Sequence, residues 1–317
     1  MSEYRPEAEF IAAALKAVGK KRLQHHVWQH YLKPWTSNGQ IHCLMDGRIF
    51  ATGTPVVAVE HDFYKINKLT AADVALIRFL VIDVPGAHAL TRESHERFLS
   101  MVLTPSLFKE QSLELDELID AVNKKVLEDY HAGIECTFLP LLGRALAKDI
   151  AFYSEPENSI SFFYYMATQH MRTKGVREKT IAILKEKDGL DASRVWTILS
   201  LMFAENIGMT MFLERSKRKL VLIENHTSRE FITGDQPIIN LHGGEGTAPA
   251  TLCWYYPISP VLALHLSDVD KEPELSLHDL TVADVDRLNS KMVAASHRQV
   301  FARSRVALEP YLAAQHE

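Results

Sequence analysis

The stretch Arg229–Leu266, REFITGDQPIINLHGGEGTAPATLCWYYPISPVLALHL, decides the reading of the fold. Two apolar runs rich in β-branched and aromatic residues flank a Gly-rich gap. That pattern predicts paired strands joined by a long loop. Thr233-Gly234-Asp235-Gln236-Pro237 interrupts the first strand. A turn signal inside a strand marks a bulge or the close approach of another group. Asp235 therefore stands at a stiff, irregular point and is a candidate for a functional pocket. The alternative is an Asp that satisfies its own turn.

Upstream, LVLIEN ends at Asn225, and His226-Thr227-Ser228 leads back into EFITG, so these two segments are expected to form a hairpin. In the gap, the loop Leu241–Ala250 carries Gly243, Gly244 and Gly246 but lacks the Lys-Ser/Thr of a P-loop, which excludes nucleotide binding by that motif. Downstream, residues 268–277 read as a polar loop. Thr281–Ser296 predicts an amphipathic helix with Thr281 as N-cap, and Arg298–Arg303 a final strand around Val-Phe-Ala.

The rest of the chain alternates helical and strand patterns. Pro6–Val18 has helical spacing and stops at Gly19. In HHVWQHYLKPW (His25–Trp35) the apolar positions suit a short helix ended near Pro34. His26 and His30, four apart, would share a face of it as a metal pair or as histidines packed beside aromatics. Residues 40–64 read as a β-meander with a two-residue turn at Asp46-Gly47. From Thr70 to Leu107 the pattern is helical, broken at Pro85-Gly86. Leu113–Lys148 is the longest amphipathic stretch, expected as two helices or a kinked one because of Gly133 and Pro140. Ala192–Glu214 gives another helix.

Two polar groups stand out in apolar surroundings. Glu135 lies in GIECTFLPLL, where a carboxylate is costly unless it is paired. Ser159–Thr173, SISFFYYMATQHMRT, predicts a buried helix with Ser159 at its N-cap, and puts Gln169 and Arg172 on one side. Arg172 can pair with Glu135 or bind a phosphate or carboxylate in bidentate fashion. His170 falls on another face.

Composition narrows the classes. The 317 residues are 47% hydrophobic, enough for one large core or two closely packed domains. No Pro/Ser-rich linker divides the chain, so one integrated domain is expected over 1–317. The net charge of −5 argues against a basic nucleic-acid coat, though not against a local basic groove. Cys43, Cys136 and Cys253 are widely spaced without a CxxC pair, as in a reduced cytoplasmic compartment. No membrane span and no signal core are expected. The fold class predicted is α+β: a mainly helical body on a small antiparallel sheet that joins the N-terminal meander to the C-terminal hairpins.

Several of these motifs together resemble a bacterial family of unknown function, DUF4238. HHVWQHYLKPW is similar to the family's His-x-Val-Pro-x-x-Tyr-Leu-x-x-Phe. VAVEHDFY at the end of the meander, Glu135, ATQHMRT, FITGDQPII and YPISP follow in the family's order. Trp28 replaces the usual Pro, Trp35 the usual Phe, and Gly234 stands where Ser is common. Some members are carried in phage-defence islands, so the resemblance implies an antiviral role by association.

Two functions are compatible with these residues. One is a defence effector with nuclease or other phosphoester hydrolase chemistry. In it His26, Glu135 and Asp235 would supply base and ligands, and Arg172 would stabilise phosphate charge. Gln169, Tyr31 and Gln236 would be the substrate-binding groups, a divalent metal the candidate cofactor, and nucleic acid or a nucleotide the partner. The carboxylate-x-Lys strand pattern of known nucleases is missing, since the acid of LVLIEN has no following Lys. The other is a non-catalytic sensor or binding protein, with a phage component as partner, in which the same side chains form a structural polar network.

Overall fold

The computed structural model describes residues 23–243, 251–268 and 279–313. The helix expected over 6–18, most of the Gly-rich loop and the polar loop after Asp268 lie outside the described residues. The architecture is α+β, helices with small antiparallel sheets.

The chain divides into two compact units. Unit one contains Glu60–Gly133 and Ile181–Asn206. Unit two contains His25–Val59, Ile134–Thr180 and the described residues from Ile207 onwards. Each has its own apolar core: Ile77, Val81, Leu99, Leu127, Leu199 and Met202 are among the buried residues of unit one, and a larger aromatic-rich set fills unit two.

Strand β1 (Leu23–His25) pairs with β4 (Val59–His61), while β2 (Ile41–Met45) and β3 (Arg48–Thr52) form the hairpin predicted at Asp46-Gly47. Both turn residues have positive φ, 50° and 68°, as a tight hairpin twist requires. The third strand of the expected meander is thus displaced: VVAVEHDFY contributes only β4, and β4 does not pair with β3. His25–Trp35 is not a helix either. It runs from β1 through turns into a 3-10 turn, Lys33–Trp35, that has Pro34 at its start. Its apolar residues Val27, Tyr31, Leu32 and Trp35 are fully buried all the same. Helical spacing reported burial there, not helix, and His26 and His30 share no helical face.

In unit one, α1 (Ala71–Ile77) opens with a capping box between Thr70 and Asp73 and runs into a π-helical turn, Arg78–Ile82. Helix α2 (Ala89–Ser106) follows the predicted break, where Gly86 takes φ +80°. Helix α3 (Leu113–Leu146) is one element through both Gly133 and Pro140, not two.

Helix α4 (Pro156–Met171) begins three residues earlier than Ser159. Pro156 occupies the first turn, where a missing N–H costs nothing, and Ser159 is buried inside the helix. Helices α5 (Lys174–Asp188) and α6 (Trp196–Leu213) complete the middle of the chain. By length and mean hydropathy of 1.3, α6 passes the composition test for a membrane-crossing helix, and half of it is buried inside the protein.

The C-terminal third departs most from expectation. Strand β5 (Arg218–Glu224) does not form a hairpin with EFITG. Only Thr233-Gly234 is extended there, as β6, and the interruption at Asp235-Gln236-Pro237 is where the chain changes sheets. β7 (Ile239–Asn240) follows it. The second apolar run is a hairpin of its own, β8 (Cys253–Ser259) and β9 (Leu262–Asp268), turned at Pro260-Val261. Helix α7 (Val282–Ala295) has the predicted Thr281 cap, completed by Asp284, and β10 (Val300–Ala302) is the predicted last strand. Two four-stranded sheets result, in the orders β3-β2-β10-β6 and β5-β9-β8-β7. The first joins the N-terminal hairpin to C-terminal strands.

Candidate functional site

All of the residues singled out from the sequence belong to unit two. Spacing puts Gln169 and Arg172 one turn apart at the end of α4, and Arg172 Nη2 donates to Gln169 Oε1 at 2.8 Å. Nη1 donates to Glu135 Oε1 at 2.7 Å, so Glu135 and Arg172 form the ion pair that their apolar settings called for. The pair is mostly withdrawn from water, with side-chain exposures of 19% and 5%.

Gln169, 1% exposed, uses its amide to hold a distant segment. Its Oε1 also accepts from Trp28 N–H at 3.2 Å, and its Nε2 donates to His26 O at 3.0 Å. His26 N–H in turn donates to Ala58 O at 2.9 Å. The imidazole of His26 is itself buried. Burial, followed by the positive charges of Arg172 and Lys174, lowers its pKa to about 3, so it is neutral at pH 7.

Asp235 anchors a second centre. One carboxylate oxygen accepts from His297 N–H at 2.8 Å, the other from the N–H groups of Arg298 and Gln299 at 2.9 Å each. Burial pushes its pKa up, and the three backbone donors pull the other way. The residue is 3% exposed. These donors come from the link between the end of α7 and β10, so Asp235 fixes how the last strand enters its sheet. Gly234 beside it has no room for a side chain: a Cβ there would lie 2.0 Å from Ser296 Oγ and 3.0 Å from Gln299 O. Gly234 is therefore matched to the Ser296 hydroxyl and the Gln299 carbonyl packed against it.

The two centres connect. The Gln299 side chain accepts from Ala58 N–H at 2.8 Å, and Ala58 O holds His26. On the other side, the Thr173 hydroxyl donates to Gln236 Oε1, and Gln236 Nε2 donates to Ile238 O at 3.3 Å. Hydrogen bonds thus run from Glu135 through Arg172, Gln169, the His26 backbone, Ala58 and Gln299 to Asp235. Ala58 sits in the network at φ +50°, a strained setting for a residue with a Cβ.

Tyr31 lies in the core beneath. Its hydroxyl contacts Thr233 Oγ1 at 2.6 Å and donates to Pro257 O at 2.7 Å, and its ring stacks on Tyr256 at 4.9 Å. Burial raises its pKa well above 10. His170 meets the same carbonyl as Gln236, with Nδ1 at 3.1 Å from Ile238 O. His30 stacks on Trp28.

The structure thus brings His26, Glu135, Gln169 and Arg172 together, ties Asp235 and Gln236 to them through intermediaries, and places Tyr31 in the core. Gln299, Thr173 and Ala58 were missed. Gln299 meets its partners 64 and 241 positions away in sequence, which no local pattern could reveal. Among the described residues, no three His, Cys, Asp or Glu side chains converge as a metal site.

The order of these motifs along the chain is that of a known family. The model of the family described as "Protein of unknown function (DUF4238)" matches residues 23–306. The chain belongs to the DUF4238 family. Comparisons with curated proteins and with solved structures returned no match. The matched span takes in every residue of the network above, from His26 to Gln299.

Proposed function

We propose that this DUF4238 protein is a non-catalytic sensor or binding protein, in which His26, Glu135, Gln169, Arg172 and Asp235 hold unit two together. The observation that carries this reading is the state of the Asp235 carboxylate. Both of its oxygens are taken by backbone donors at 2.8–2.9 Å. A general base needs a lone pair within reach of a substrate proton, and a metal ligand needs one aimed at open space. With three of its roughly four acceptor sites filled by backbone donors and only 3% of the residue exposed, Asp235 is poorly placed for either role. Arg172 likewise spends Nη1 and Nη2 on Glu135 and Gln169. In this reading a partner such as a phage component is recognised elsewhere on the surface, and the network keeps that surface in shape.

The test is to incubate the purified protein with DNA, RNA and nucleotides, with and without Mg²⁺ or Mn²⁺. No products above the protein-free control are expected. Products that vanish in Glu135→Gln or Asp235→Asn, when those variants keep the wild-type unfolding transition, would overturn the proposal in favour of a hydrolase.

A further inference from the structure

Ala58 takes φ +50° with its side chain fully buried. The left-handed region brings Cβ against the following carbonyl, so an alanine stays there only where neighbours hold it. Two bonds do so. The N–H donates to Gln299 Oε1 at 2.8 Å, and the C=O accepts from His26 N–H at 2.9 Å. Gln299 is itself lightly moored, its Nε2 meeting the Met45 thioether, a weak acceptor, at 3.5 Å. The segment that leads to Ala58 is lightly held as well. Thr54–Val56 is a 3-10 turn that starts at Gly53 without a side-chain cap, and Val56 is 61% exposed. Gln29 reaches the Thr54 hydroxyl at 3.4 Å, and the His25 ring bonds the backbone of Thr54 and Pro55. The strain at Ala58 is of the same order as the net worth of one hydrogen bond. Burial of Val57 and Ala58 is then the main restraint on the segment.

We propose that Gly53–Ala58 is a strap that opens about Ala58. In the open state φ of Ala58 is negative, its N–H has left Gln299 and its C=O has left His26. The run of hydrogen bonds from Arg172 through Gln169 and His26 to Gln299 and Asp235 passes through Ala58, so opening breaks it in the middle. A glycine at this position would hold the strap shut without strain. The inference deepens the sensor reading and rests on it for its use. A sensor needs two states for which its partner has unequal affinity, and the strap supplies them.

Amide hydrogen exchange of the full chain, read residue by residue by NMR, tests this. The Ala58 and His26 N–H groups should exchange together, about tenfold or more faster than the hydrogen-bonded amides of β2 and β10. Ala58→Gly removes the strain of the closed state and should slow both by about two- to fivefold, after correction for intrinsic rates. Gln299→Met removes the acceptor of the Ala58 N–H alone. It should nevertheless speed exchange by about tenfold at His26 as well as at Ala58, because the two open as one. Exchange at Ala58 and His26 no faster than in β2 and β10, exchange that Ala58→Gly leaves unchanged or speeds, or a Gln299→Met effect confined to Ala58 would each overturn the strap. Products in the nuclease assay would instead remove the sensor reading, and the exchange rates would still decide whether the strap opens.

Discussion

Asp235 and Gln299 hold each other in both directions: Gln299 N–H donates to the Asp235 carboxylate, and Asp235 N–H donates to Gln299 O, each at 2.9 Å. The link makes Asp235 the clamp on the entry to β10. Asp235→Ala leaves three backbone N–H groups without their acceptor. A buried donor left unmet costs about 1–3 kcal/mol, and these three are part-buried, so urea unfolding should show a loss near the low end of their sum, about 3–4 kcal/mol. Asp235→Asn keeps one acceptor oxygen and should lose less. Trp28, Trp35 and Trp254 all lie in unit two and report its transition by fluorescence.

Gly234→Ala should be damaging for a different reason. The new methyl would meet Ser296 Oγ at 2.0 Å, and Gln299 O at 3.0 Å. Overpacking of this kind costs about 1–3 kcal/mol. Ser296→Gly in the same chain should recover part of that loss, because one of the two clashes disappears. Equal stability of the single and double variants would show that the backbone contact alone decides it.

These two residues also show what the sequence could reveal. The turn signal at Thr233–Pro237 correctly marked an irregular, constrained point. It did not reveal that the chain changes sheets there, because β10 and β8 on either side come from remote segments. The capped helix α7 was legible from Thr281 and its spacing, and the β2–β3 hairpin from Asp46-Gly47, since both are local. The pairing of β5 with β9 and the strand-like start of HHVWQHYLKPW were not, because distant packing overrode the local pattern. At the site, Glu135 and Arg172 were legible as a pair because each is expensive alone.

Acid should weaken unit two through its buried histidines. The pKa of His26 falls from 6.5 to about 3, and that of His265 to about 4, burial being the main cause in both. Between those values and 6.5 the unfolded chain binds more protons than the folded one. Stability is therefore full above pH 6.5 and is lost as pH falls, by about 1.4 kcal/mol per unit for each histidine. Urea midpoints measured from pH 7.5 to 5 should show a slope of this sign, and His26→Gln should make it shallower, the remainder coming from His265 and the other histidines that burial lowers, such as His170. An unchanged slope would mean that His26 is not buried neutral.

Tyr31→Phe removes only the hydroxyl that joins Thr233 to Pro257 O. Thr233 keeps its place in β6, so the expected loss is about 1–2 kcal/mol with no change of fold. Near- and far-ultraviolet circular dichroism together with urea unfolding check both parts.

The most direct measurement is a double-mutant cycle in urea across Glu135→Ala and Arg172→Ala. If these side chains serve the fold, Arg172→Ala alone costs about 3–5 kcal/mol, as expected for breaking a buried pair. The coupling between the two sites then exceeds about 1 kcal/mol. Single variants as stable as wild type, with no coupling, would contradict the account and would mean that the pair is kept for chemistry rather than for structure.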